Sequence, residues 1–387
     1  MHFLTCQQIN LSRRGLGVND VALIEQVILG NPKLSVLKLG YNDLGDVGAH
    51  CIANALCVEA GGQLSHRALG VLDLCFNGIG DDGCGGLAMK AIAGNFHLRT
   101  LFLSGNNIGE KGALSIAGAL VHGCYLSRLH LTANKIGPEG TKALATAVAE
   151  VDARVQMQEA AVGNVAAAMG ALPAQTTFPK RMEHLFLGST AMETGFYAIP
   201  SMLLSNTSLK VLCLTDNNMD DRDMGLLAQA FTQNKNIPLE SIMLSHNQIT
   251  CAGVESLMNS IWGSPTLTEI KLDNNKIQDR GAQLCAVVLT SIKLQKLDVG
   301  FNAITTVGLR ALMKSLSEDT NMRSLGICGI AIDLNAAKAV SFALAYNTAL
   351  ETIYMDNCQV GYSAQRHITA GIVSNQRAPL QVLTGFP

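Results

Sequence analysis

Apolar positions recur along this 387-residue chain at one spacing, LxxLxLxxNxI. Clear copies are Leu98-Leu101-Leu103-Asn106-Ile108, Leu126-Leu129-Leu131-Asn134-Ile136, Leu267-Ile270-Leu272-Asn275-Ile277 and Leu294-Leu297-Val299-Asn302-Ile304. Leu34, Leu69, Leu209 and Leu239 open four more, whose asparagines are Asn42, Asn77, Asn217 and Asn247. The starts at 239, 267, 294, 322 and 350 lie 27 or 28 residues apart. After each copy comes a glycine and then apolar residues at intervals of three and four, as in 112–120 and 308–316. The first spacing predicts a strand with its leucines inward, the second a helix with one buried face.

A strand followed by a helix at this period predicts an α/β solenoid. Its parallel strands would line the concave face of a horseshoe, with helices on the convex face. The eight asparagines at the template position are expected to be buried and to bond backbone groups of the turns as a ladder. Losing one should cost roughly 1–3 kcal/mol. One repeat domain is expected over 1–387, with 1–33 as an N-terminal capping repeat and 376–387 as a C-terminal cap strand. From Leu126 to Met182 is 56 residues, twice the period. The intervening Val155-x-Met157-x-x-Ala160 has the right phase, so 150–181 reads as a decayed repeat, giving about 13 repeats and a cap strand. The alternative is a long Ala-rich helix. The 35 residues from Leu34 to Leu69 imply a surface loop near Gly61-Gly62.

The template and its period resemble the repeats of ribonuclease inhibitors, of NOD-like receptors and of the GTPase activator of Ran. With no nucleotide-binding module ahead of the repeats in the sequence, a complete NOD-like receptor is not expected. No long acidic tail ends the chain, as is usual among Ran activators. If that resemblance carried a GTPase-activating role, Arg13 and Arg14 would be the residues to test. More broadly, it implies a protein that binds other proteins, since this type of repeat serves many partners.

Composition narrows the function further. There are 28 basic and 30 acidic residues, a net charge of −2, and no basic stripe suited to nucleic acid. No apolar run is long enough to insert in a membrane. The N-terminus lacks a secretory pattern, and eleven cysteines are scattered singly without a CxxC pair, which suits reduced thiols in the cytoplasm. A cytoskeleton-associated setting is a variant of the same expectation.

Two motifs mimic chemistry. Gly78-Ile-Gly80-Asp-Asp-Gly83 matches a dinucleotide fingerprint, but neighbouring copies carry glycines at the same phase as its second and third. Asp220-Asp221-Arg222-Asp223 resembles part of a calcium loop without its register, and reads as a solvated turn. The nine histidines form no HxxxH pair. No catalytic residue, metal site or cofactor is therefore expected.

The strand positions facing outward can be read from the template. The central residue of LxL gives Lys38, Asp73, Phe102, His130, Gln156, Phe186, Cys213, Met243, Lys271, Asp298, Gly326 and Tyr354. The residue before the asparagine adds Tyr41, Phe76, Asp216, His246 and Phe301; the residue before the second leucine adds Val36, Val71, Arg128, Arg154, His184, Glu269 and Lys296. Val36, Tyr41, Val71, Phe76 and Phe102 are expected to lie together across three strands. Covering a large apolar side chain is worth about 1.5–3 kcal/mol, so such a patch is a candidate site for a protein partner. His130, Phe186, Met243 and Tyr354 extend it. The alternative is that the rings merely finish the surface. Glu269, Lys271, Lys296 and Asp298 are expected to pair internally. The function expected is thus a non-catalytic scaffold, adaptor or inhibitor. The alternatives are a Ran-type activator and a docking subunit of a large cytoskeletal or ciliary assembly.

Overall fold

A computed structural model describes residues 6–57, 68–169, 181–289, 291–375 and 381–383. Gly61-Gly62, 170–180 of the expected decayed repeat, and 376–380 and 384–387 of the expected cap strand lie outside these residues. The chain divides into two compact units, Met1–Val211 and Leu212–Pro387.

In the first unit, six three-residue strands pair in parallel in chain order: β1 (Gln8–Asn10), β2 (Val36–Lys38), β3 (Val71–Asp73), β4 (Thr100–Phe102), β5 (Arg128–His130) and β6 (His184–Phe186). Each repeat sits in register on the next, Leu37 on Leu72, Leu101 and Leu129 in turn. These leucines are completely buried. Strands this short gain their stability from stacking on neighbouring repeats. Behind them run helices α1 (Val21–Leu29), α2 (Gly45–Leu56), α3 (Asp81–Gly86, continued by a π-helical turn to Ile92), α4 (Glu110–Val121), α5 (Gly137–Met169) and α6 (Ala198–Ser205). In α4, Ala113, Ile116, Ala117 and Leu120 form the buried stripe that the three-and-four spacing predicts. Strand β7 (Val211–Cys213) stands at the division.

The second unit repeats the plan. Its strands are β8 (Ser241–Met243), β9 (Glu269–Lys271), β10 (Lys296–Asp298), β11 (Ser324–Gly326), β12 (Thr352–Tyr354) and β13 (Gln381–Leu383), parallel in chain order. Its helices are α7 (Asp221–Gln233), α8 (Cys251–Ser260), α9 (Asp279–Leu289), α10 (Thr306–Glu318), α11 (Leu334–Tyr346) and α12 (Tyr362–Ser374).

Thirteen strands stand among the described residues, each at an expected copy of the template, and the copy expected at Val155 has none. The segment 150–169 carries no strand. It is the second half of α5, a helix of 33 residues, and β5 pairs directly with β6. Over 150–169 the decayed repeat is therefore corrected to a long helix, and Arg154 and Gln156 are helical rather than strand-facing. Leu144, Val148, Val151 and Val155 are all buried at spacings of four, three and four, so Val155 continues a helix face. The Ala-rich sequence that follows favours helix, with no strand template to compete. Asp152, almost completely buried, fixes α5 to the turn before β7. It accepts from the Thr207 amide at 2.6 Å and lies 3.4 Å from Nε of Arg181.

Candidate functional site

The turn after each strand is built around the template asparagine. Asn106 donates through Nδ2 to the carbonyls of Leu74 (3.0 Å) and Leu103 (2.8 Å). Its Oδ1 accepts from the amides of Asn77 (3.0 Å) and Ile79 (3.1 Å). Asn42, Asn77 and Asn134 bridge successive turns in the same way in the first unit, and Asn247, Asn275 and Asn302 in the second. Asn217 donates to the Thr215 carbonyl, and its amide donates to Asn247. Where the asparagine is replaced, the Thr190 hydroxyl donates to the Leu187 carbonyl and the Cys358 thiol to the Ile327 carbonyl.

A second ladder, not read from the sequence, runs along the helix starts. Four residues after the asparagine, Asp46, Asp81, Glu110, Asp221 and Asp279 begin or nearly begin their helices. Each carboxylate caps the next repeat. Asp46 accepts from the Gly80 amide, Asp81 from Gly109 and Gly112, and Glu110 from Glu139. Asp221 accepts from the amides of Thr250 and Gly253, and Asp279 from Thr305 and Gly308. The signal was present as acids at a fixed offset from the asparagine. The same ladder disposes of two motifs. The Asp46 carboxylate lies 2.7 Å from the Gly80 amide, where a bound phosphate would have to sit. Asp220 and Asp223 form a reciprocal cap at the start of α7, so the acidic run is a helix start rather than a solvated turn.

The residue before the asparagine adopts a left-handed backbone in every repeat, from Arg13 (φ 59°) through Tyr41 (59°), Phe76 (52°) and Ala133 (57°) to Phe301 (52°) and Asn357 (56°). This conformation costs a bulky residue roughly 1–2 kcal/mol. It throws the side chain onto the open face of the sheet. There Tyr41 and Phe76 stack with centroids 4.5 Å apart and stay 48% and 43% exposed. The Arg13 guanidinium covers the far face of Tyr41 at 4.3 Å. Phe76 lies over Gly105, where a β-carbon would fall 2.3 Å from its ring.

Phe102 does not join these rings. It stacks on His130 at 4.3 Å, and His130 on Phe186 at 4.0 Å, along three registered strands. The expected single cluster is thus two ring columns, Tyr41–Phe76 and Phe102–His130–Phe186. Val36 and Val71 are half-buried and registered side by side on β2 and β3. Burial between the rings, with His184 and Arg128 nearby, pushes the His130 imidazole down to about 4.

The second unit carries a different face. Met243 is half-buried, while Phe301 and Tyr354 are exposed. Glu269, Lys271, Lys296, Asp298, Gly326 and Tyr354 contribute to a cleft of about 390 Å³. There Lys271 pairs with Glu269 at 3.8 Å, and Asp298 accepts from the Gly300 amide at 3.0 Å.

No disulfide joins the cysteines of the described residues. Burial pushes Cys84 and Cys285 up to about 12, leaving them inert. Among the described residues no group of histidines, cysteines and acids is placed to hold a metal ion, and no helix is long and apolar enough to cross a membrane.

Comparison with known proteins follows this geometry. The family profile described as Leucine Rich repeat matches residues 30–53, 94–117, 122–145, 205–228, 235–258, 263–284 and 290–313. The human NACHT, LRR and PYD domains-containing protein 14 is 26% identical over 302 residues, covering 76% of this chain and 27% of its own length. The ribonuclease inhibitor of Sus scrofa is 24% identical over 372 residues, covering 95% of this chain and 68% of its own. The chain therefore spans about a quarter of the NACHT relative. A chain from the yeast Rad7 and Elc1 complex superposes with a TM-score of 0.51 at 14% identity, over 91% of this chain and 82% of that one, a likeness of fold.

Proposed function

We propose that this chain, a leucine-rich-repeat protein of the ribonuclease-inhibitor type, is a non-catalytic interaction module that holds a protein partner on the strand face of its first unit. The observation carrying this reading is the Tyr41–Phe76 stack. Two large rings are kept nearly half exposed in a left-handed backbone, on a layer whose leucines are completely buried. An exposed apolar cluster on a rigid scaffold is a typical anchor for a partner. The pig relative, aligned over 95% of this chain, is by name an inhibitor of another protein. Cysteines scattered singly along the chain, without a CxxC pair, favour the cytoplasm as the setting.

No observation favours the Ran-type alternative. Arg13, one of its two candidates, lies over Tyr41. The assembly-subunit alternative predicts a large complex in native lysate, and size-exclusion chromatography separates it from a free binder.

The test is affinity purification of the full chain from cells, beside Phe76→Ser and Phe102→Ser variants checked for unchanged circular dichroism. A protein recovered with the native chain and lost with both variants supports the reading. Recovery unaffected by either substitution refutes it.

A further inference from the structure

The charges around the two ring columns define the partner's chemistry. Along the strand-face positions of the first unit, Arg13, Lys38 and Arg128 are exposed. Asp73 is the one carboxylate on these positions among the described residues. It is half-buried and accepts from the Cys75 amide at 3.0 Å. A chain of net charge −2 thus presents a locally cationic face. The strand face of the second unit, with Glu269, Lys271, Lys296 and Asp298, mixes both signs instead.

Three of the five rings favour a polypeptide over a nucleic acid as the anionic partner. A nucleic-acid base needs an open ring face on which to stack. His130 has both faces covered, by Phe102 and Phe186. Tyr41 has one face on Phe76 and the other under Arg13, and Phe76 lies between Tyr41 and Gly105. What these three rings offer is their hydrocarbon edges. Edges suit aliphatic or aromatic side chains of a polypeptide rather than flat bases.

We infer that the partner segment held on this face is an acidic peptide stretch, with Asp or Glu side chains flanking one or two large apolar anchors. The carboxylates meet Lys38 and Arg128, and the anchors lie along the edges of the ring columns. Opposed charges at the rim would speed association and fix the register of the segment. This inference rests on the reading that the first unit's strand face binds a protein.

The experiment is selection of a displayed library of random short peptides on the full chain and on a Lys38→Glu/Arg128→Glu variant. A deoxythymidine oligonucleotide is titrated separately into the native chain. The expected result is a pool enriched in Asp and Glu around Leu, Ile, Met or Phe on the native chain. Selected peptides should lose about tenfold or more in affinity for the charge-reversed variant, whose own pool should shift toward Lys and Arg. A neutral or basic pool on the native chain overturns the inference. So does the absence of any enriched pool, an identical pool on both proteins, or an oligonucleotide that binds more tightly than the peptides and competes with them. If the cellular partner is lost on Phe76→Ser yet retained on charge reversal, this inference falls and the functional reading stands. If the partner ignores Phe76→Ser, the reading itself falls.

Discussion

The ring of Phe76 rests on Gly105 of the next repeat, so closely that a β-carbon at Gly105 would lie 2.3 Å from it. Gly105 has φ +69°, and Ala133 holds the equivalent place at φ 57°, so alanine itself is tolerated there at modest cost. Gly105→Ala should therefore act mainly by expelling Phe76. We expect a loss of about 1–2 kcal/mol in urea denaturation together with weakened partner binding. Phe76→Ala/Gly105→Ala should lose less than the sum of the single changes, because the clash has been removed. Strict additivity would refute the contact.

Removing Asn106 strands backbone groups of two repeats. Asn106→Ala should cost roughly 1–3 kcal/mol, because four buried backbone partners lose their bonds. Asn106→Asp should be at least as harmful. It keeps the acceptor but sets a carboxylate oxygen against the carbonyls of Leu74 and Leu103. If urea midpoints place the aspartate variant near the native chain, the donor half of the ladder is unimportant.

These repeats show how much was legible in the sequence. The leucine and asparagine positions announced strand, turn and ladder because each is chemically constrained; the leucines are buried, and five of the eight asparagines are buried while Asn42, Asn275 and Asn302 are half-buried. The segment 150–169 misled because Val155 satisfies two periods at once, the strand phase of the array and the helix face continued from Val151. Outward positions were legible, but ring pairing was not. Phe102 and Phe76 both lie on the open face, yet registry sends Phe102 to His130 while the left-handed turn sends Phe76 to Tyr41. The acid ladder was missed because each acid caps a helix in the next repeat rather than its own.

That ladder gives a pH-dependent prediction. Burial pushes the Asp279 carboxyl up, but hydrogen bonds from Thr305 and Gly308 outweigh it and hold the group below the usual range. Its stabilisation is present above the ordinary carboxylate value and is lost as pH falls through the depressed one. Asp279→Ala should cost about 1 kcal/mol near neutrality and progressively less in acid, by thermal denaturation across pH. An effect of equal size in strong acid would contradict this account.

His130 titrates with the same sign, in a window that begins at higher pH. Its ordinary value is 6.5 and the folded value about 4, so between these the unfolded chain binds a proton that the folded chain refuses. Stability should fall as pH drops through this window, by at most about 2 kcal/mol once screening on the open side is allowed for. His130→Phe keeps a ring in the stack and should flatten this part of the pH profile. An unchanged slope would mean that the imidazole is not held neutral between Phe102 and Phe186.

The central claim concerns one face of one unit, and site-specific photo-crosslinking in cells tests it most directly. A benzophenone amino acid is placed at Tyr41 on the strand face or at Leu114, an exposed position of α4 on the helix side. The account predicts a discrete adduct to a second protein from position 41, abolished by Phe76→Ser, and none from position 114. An adduct from position 114 alone, or one from position 41 that survives Phe76→Ser, would contradict it.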